Sequence, residues 1–321
     1  MSTRATTRER MFRSQKLELF VRERGEGQPL LLINGLGGNV DMWTAVEERF
    51  APFARTISFD YPGCGRSPVL RGPVTIPRLA AMVASALDEL GYEQVDALGF
   101  SLGGLIAQQL AHDHPERVRR LALAGTACGW GSMPGSPEAL ALLAMPLRYH
   151  SRFLYEQTRW LLAPADRELL ERAGGLSESR LKYPPSLLGY TAQLWAGALW
   201  SSLPWLRSVE APTLVVHGDG DRLVPYANGV QLARHLPVSR LHVIPGEGHL
   251  LVFDAESAAL PLLADFFAST TLDESAAWTT GTVVDDDATV ERVFAETPGT
   301  EPYRTLSWAF RRVLERLTRA A

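Results

Sequence analysis

Three residues in this 321-residue chain have the types and settings for nucleophilic catalysis: Ser101, Asp221 and His249. Ser101 lies in Gly99-Phe100-Ser101-Leu102-Gly103, after the apolar run "QVDALGF" and before a helical pattern. A strand-to-helix turn of this kind is a nucleophile elbow: small residues two positions to either side let strand and helix approach, and the hydroxyl projects at a helix N-terminus. A serine needs a base, and on such an elbow the acid follows in chain order and the histidine comes last. "HGDGDRLVP" (217–225) offers Asp219 and Asp221. Asp221 is the expected acid, because it lies further out in the loop, whereas Asp219 suits a bracing role. "PGEGHLLVFD" (245–254) places His249 in a glycine-containing loop after the last apolar run. The rival His242 lies inside the run "RLHVI". His112 and His114 close a helix, and His217 ends a strand.

Acyl transfer also needs donors for an oxyanion. "LLLINGLGGN" (30–39) sets Gly35, Gly37 and Gly38 after a strand, so backbone N–H groups there can face a ligand. The expected donors are the N–H groups of Leu36 and Leu102. Asn34, Gly35, Phe100, Trp130, Trp195 and Trp200 are candidate pocket residues.

The elements that must carry these residues read as short apolar runs alternating with helical patterns. The runs are 16–21, 29–34, 56–60, 94–100, 120–125, 213–218 and 240–244. Most are continuously apolar, which suits parallel strands buried on both faces. Helical patterns at 42–50, 76–90, 101–115, 226–236 and 257–268 separate them, with Gly91 as a C-cap and Pro115 as a stop. The fold class is therefore α/β, a mostly parallel doubly wound sheet. The alternation fails between 130 and 208, a stretch with five of the eight tryptophans and no strand pattern. The expected division is a core of 15–129 and 209–270, a helical cap of 130–208, and a tail of 271–321. In the tail, 269–288 reads as a polar linker, "TVERVFAET" (289–297) as a short helix, and 301–321 as a helix with one apolar and one arginine-rich face.

Bulk composition narrows the classes. A net charge of −4 gives no electrostatic reason for a nucleic-acid partner. The basic N-terminus lacks the apolar core of a secretory signal, and no run reaches the roughly 18 apolar residues of a membrane span. A cytoplasmic location is expected, with Cys64 and Cys128 as free thiols. No metal-ligand spacing occurs, and the chemistry calls for no cofactor.

In this order, "NGLGG", "DYPGCGRS", "GFSLGG", "HGDGDRLVP" and "GEGHLLVFD" resemble the alpha/beta-hydrolase superfamily over about residues 15–270. Many members carry His-Gly where this chain has Asn34-Gly35. "LLLINGLGGNVDMW", "AGTACGWGSMPGSPEAL" and "GYTAQLWAGALWSSLPWL" are similar to stretches of intracellular medium-chain-length polyhydroxyalkanoate depolymerases. Those enzymes often have tryptophan at the position of Leu102, and the resemblance does not reach the tail. It implies a serine ester hydrolase acting through an acyl-enzyme on 3-hydroxyalkanoate esters or polyester, without a cofactor. A carboxylesterase, lipase or thioesterase of the same fold is the alternative, and a non-catalytic ligand-binding protein is the alternative of another class. Expected partners are a small or polymeric ester. The terminal helix would dock on the body or a second copy, or meet a granule or membrane surface.

Overall fold

Continuous apolar runs leave a strand no solvent face, and the sheet is built accordingly. The computed structural model describes residues 6–13, 18–162 and 174–297. Eight strands form one sheet: β1 (Thr7–Arg13), β2 (Glu18–Arg24), β3 (Gln28–Ile33), β4 (Ala54–Asp60), β5 (Val95–Phe100), β6 (Val118–Ala124), β7 (Thr213–Gly218) and β8 (Ser239–Ile244). Their spatial order is β1-β2-β4-β3-β5-β6-β7-β8. β1 and β2 pair antiparallel, as do β2 and β4, and every pairing from β4 through β8 is parallel. Every residue of β5 and β7 is buried.

Helices cover both faces. Ile76–Leu90, Leu102–Asp113 and Ala227–His235 pack on one, Thr44–Phe50 and Ala259–Ala268 on the other. Thr75 caps Ile76–Leu90 through its hydroxyl, and Gly91 ends it at φ 81°. The helical pattern at 42–50 divides into a 3₁₀ turn, Val40–Trp43, and the helix Thr44–Phe50. Chain order reverses between β3 and β5, the switch point where such sheets hold ligands at the strands' carboxyl ends.

Two stretches differ from the sequence reading. β1 has no predicted counterpart. It is an edge strand with almost every side chain exposed, so it carries no apolar run and is fixed by ion pairs such as Arg10–Glu23 (3.2 Å) and Arg22–Glu9 (2.6 Å). The polar stretch 269–288 is not a free linker. It forms the helix Ala276–Thr280, whose buried Trp278 stacks on Phe266 (centroids 5.8 Å apart), and Thr282 pairs with Leu241 on the β8 edge. The short helix expected at 289–297 is present as Asp287–Glu296 and lies on Ala227–His235, with Val290 and Val293 buried and Arg234 paired to Asp287 (2.9 Å). Much of the polarity belongs to helix caps, Ser275 and Asp286. The predicted helix 301–321 lies outside the described residues.

Between β6 and β7 the chain forms the helices Pro137–Leu143, Arg152–Leu162, Gly174–Lys182 and Leu187–Ala198. Among the described residues no helix is long and apolar enough to cross a membrane.

Candidate active site

The turn after β5 leaves Ser101 at φ 54°, ψ −122°, the only non-glycine residue with positive φ among those described. Surrounding structure must hold such a backbone. Ser101 N–H donates to Ala124 O (3.0 Å), and Ser101 O accepts from Gly104 N (2.9 Å) and Thr126 Oγ1 (2.7 Å). A Cβ on Gly103 would collide with Ile33 O, and one on Gly99 would sit 2.7 Å from Ala107 Cβ. The glycines are thus required by close approach of the helix Leu102–Asp113 to β3 and β5.

His249 arrives from the loop after β8, and its ring is 4.9 Å from the Phe100 ring, centroid to centroid. Its Nε2 lies 3.1 Å from Ser101 Oγ, and its Nδ1 lies 2.7 Å from Asp221 Oδ2. The other Asp221 oxygen accepts from Leu223 N (2.9 Å) and Val224 N (2.8 Å). Burial pushes the Asp221 carboxyl up, but the facing His249 and His217 outweigh it and bring it down to about 2. A carboxylate at Nδ1 fixes that nitrogen as the N–H donor, leaving Nε2 to accept from the serine. Asp219 turns the other way: its Oδ1 accepts from Gly246 N (2.6 Å) and ties the two loops together. His217 is buried, with Nε2 donating to Val224 O (2.7 Å). His242 Nε2 bonds Ala277 O (2.6 Å), away from the serine.

The glycine loop after β3 turns through Gly38 N to Gly35 O (3.0 Å), and Gly37 N meets Gln193 Oε1 (3.4 Å). Neither bond uses Leu36 N–H. Leu102 opens its helix, so its N–H has no intrahelical acceptor. Gly35 lies against Phe100 and Ser101, where a Cβ would be 3.1 Å from each.

The candidate pocket residues separate into groups. Asn34 and Phe100 are buried behind the site: Asn34 Nδ2 donates to Asn39 O (2.8 Å), and Phe100 sits between His249 and Phe253. Trp200 is core rather than lining. It is 8 % exposed, and its Nε1 donates to Gln109 Oε1 (2.7 Å), fastening the segment to the helix Leu102–Asp113. Trp130 and Trp195 are exposed. The segment instead meets the glycine loop through Tyr190 and Gln193 of Leu187–Ala198, with the Tyr190 ring 2.8 Å from where a Gly37 Cβ would be. Tyr190 belongs to a small cluster with Tyr149 and Tyr155, against which Leu36 packs. Only the spacing of Tyr190 and Gln193 on one helical face could have marked them in the sequence. A cavity of about 490 Å³ opens on Tyr149, His150, Arg152, Glu178, Leu181, Lys182 and Pro184, none of them a candidate catalytic residue.

A profile of the alpha/beta hydrolase fold matches residues 28–256. The chain belongs to the alpha/beta hydrolase family. A poly(3-hydroxyalkanoate) depolymerase of Ectopseudomonas oleovorans is 38 % identical over 246 residues, 74 % of this chain and 83 % of that one. A 2-hydroxy-6-oxo-2,4-heptadienoate hydrolase of Pseudomonas putida is 27 % identical over 278 residues, 81 % of this chain and 96 % of that one. Among solved structures, a thermophilic esterase of Thermogutta terrifontis superposes with a TM-score of 0.67 at 26 % identity, covering 82 % of this chain and 98 % of the esterase. This alpha/beta hydrolase thus has esterases and other hydrolases as its relatives.

Proposed function

We propose that the chain is a serine ester hydrolase acting on 3-hydroxyalkanoate esters or polyester. The observation that carries the reading is the connected line Asp221–His249–Ser101, at 2.7 and 3.1 Å, ending on a serine held at positive φ. His249 Nε2 takes the proton as Ser101 Oγ attacks the ester carbonyl. The N–H groups of Leu36 and Leu102 receive the oxyanion, each such donor being worth roughly 3–4 kcal/mol in the transition state. His249 then protonates the departing alkoxide, and the acyl group stays on Ser101. Water, deprotonated by His249, releases a hydroxy acid. Asp221 holds the imidazole tautomer and stabilises the imidazolium.

The choice of 3-hydroxyalkanoates is supported by the 38 % identity to a protein named for that polymer, together with the contact of Tyr190 and Gln193, from the segment between β6 and β7, with the glycine loop. A fluorophosphonate probe tests the nucleophile: labelling of the wild type and none of Ser101→Ala is expected. A rate comparison of p-nitrophenyl esters of increasing chain length with hydroxyalkanoate oligomers tests the substrate. Equal rates on simple esters and no oligomer cleavage would point to a general carboxylesterase.

A further inference from the structure

Arg148 is 1 % exposed, yet its Nε and Nη1 have no hydrogen-bond partner. No carboxylate pairs with it among the described residues. Its guanidinium carbon lies 5.1 Å from the Tyr149 ring centre and 5.3 Å from that of Tyr155. A second guanidinium, Arg180, stands 5.5 Å from the Tyr149 ring centre, with Nη1 3.5 Å from the Tyr149 hydroxyl and Nε 3.3 Å from Met42 Sδ. Among the described residues it too is joined to no carboxylate. Two positive charges on one tyrosine, one of them sealed from water, are costly unless an anion completes the set. Aromatic faces offset part of that cost but leave Arg148 Nε and Nη1 unused. Burial pushes the Tyr149 phenol up, but the charges of Arg180 and Arg148 bring it below its ordinary value, in keeping with a local excess of positive charge.

The position of this box bears on substrate. Tyr149, Tyr155 and Tyr190 form the cluster on which Leu36 packs, and Tyr190 lies against Gly37. The box therefore borders the loop that supplies a proposed oxyanion donor. In an oligomer of 3-hydroxy acids cleaved at its last ester, the leaving hydroxy acid carries a free carboxylate only a few bonds from the scissile carbonyl.

We propose that Arg148 and Arg180, within the box of Tyr149, Tyr155 and Tyr190, form a carboxylate-binding subsite that holds the free acid end of a hydroxyalkanoate oligomer. Guanidinium donors match a carboxylate bidentately. The subsite directs cleavage to the terminal ester, so monomers are released from the acid end. It rests on the ester-hydrolase reading above, and its test separates the two.

The decisive comparison needs no variant. A 3-hydroxyalkanoate dimer with a free carboxylate is set against its methyl ester, with kcat/KM measured for the wild-type enzyme. A preference for the acid of roughly tenfold or more is expected, as for a hydrogen-bonded charge pair. Equal values overturn the subsite. Arg148→Met should collapse the ratio of acid to methyl ester while leaving thermal stability equal or higher, since an apolar replacement removes an unpaired buried charge. A fall in stability with the ratio intact assigns Arg148 a purely structural part and overturns the proposal. Should neither dimer be cleaved, the ester-hydrolase reading fails on its own. Calorimetry of 3-hydroxydecanoate against its methyl ester on Ser101→Ala then judges the subsite alone. Binding of the acid only, lost in Arg148→Met, sustains it, and equal or absent binding of both refutes it.

Discussion

Replacing Asp221 by asparagine changes few atoms and tests the electrostatic logic of the site. Asp221 Oδ1 accepts two backbone N–H groups, at 2.9 and 2.8 Å, while Oδ2 faces His249 Nδ1 at 2.7 Å. In Asp221→Asn the amide oxygen must keep the backbone donors, so the NH₂ faces His249. Nδ1 then has to accept, the ring proton moves to Nε2, and Nε2 can no longer take the proton of Ser101. The expected loss is about 10⁴-fold in kcat, about 5 kcal/mol of transition-state stabilisation, with KM little changed. Asp219→Asn is the control. It perturbs only the bond to Gly246 N and should cost far less. The same substitution has a stability signature. With its folded carboxyl at about 2 against an ordinary 3.8, Asp221 contributes about 2 kcal/mol above pH 4, lost as pH falls through about 2. Denaturant midpoints measured at pH 7 and pH 3 should therefore draw closer together in the variant. Steady-state kinetics on a p-nitrophenyl ester settle the main point. An Asp221→Asn enzyme with more than about a tenth of wild-type kcat, or an Asp219→Asn enzyme hit equally hard, would refute the assignment.

Two further expectations concern the frame. Glu47 is buried, its Oε1 accepts from Ser58 Oγ (3.0 Å), and its Oε2 has no hydrogen-bond partner and lies 3.6 Å from Arg22 Nη1. Burial pushes its carboxyl up from 4.5 to about 7, so the native state holds a proton that the unfolded chain releases. Stability from this group therefore falls by about 3 kcal/mol as pH rises through that window. Glu47→Gln should lose the slope, and parallel curves of unfolding free energy against pH would contradict it. Trp278→Ala removes the aromatic side chain stacked on Phe266 and should cost about 3 kcal/mol, with early proteolysis in 271–297. An unchanged melting temperature and cleavage pattern would show that this stretch adds nothing to the body.

The parts of the fold legible in the sequence are those where burial dictates residue type. β5 and β7 are buried along their whole length and read as unbroken apolar runs. Their order with the intervening helices implies the parallel sheet. That Ser101, Asp221 and His249 come within hydrogen-bond reach of one another is legible for a related reason: each lies in a polar or glycine-containing loop just after such a run. β1 was not, because an edge strand held by Arg10 and Arg22 pairs looks like solvated chain. Trp278 is one aromatic amid polar caps, with no apolar run to mark it as buried. The segment between β6 and β7 was the least legible. Tryptophan content pointed to Trp130, Trp195 and Trp200, but two are exposed and one is core. Contact with the glycine loop falls to Tyr190 and Gln193, and the charged box joins Tyr149, Tyr155 and Arg180 from separate elements. Helical periodicity gives the apolar face of each helix, not which faces meet.

The account stands most directly on a covalent intermediate at Ser101. Rapid quenching of a 3-hydroxyalkanoate ester reaction, followed by digestion and mass spectrometry, should show the acyl mass on the peptide containing Ser101. The adduct should accumulate in a variant slowed at His249 and vanish in Ser101→Ala. Turnover without any acyl adduct, or an adduct on another residue, would contradict the account.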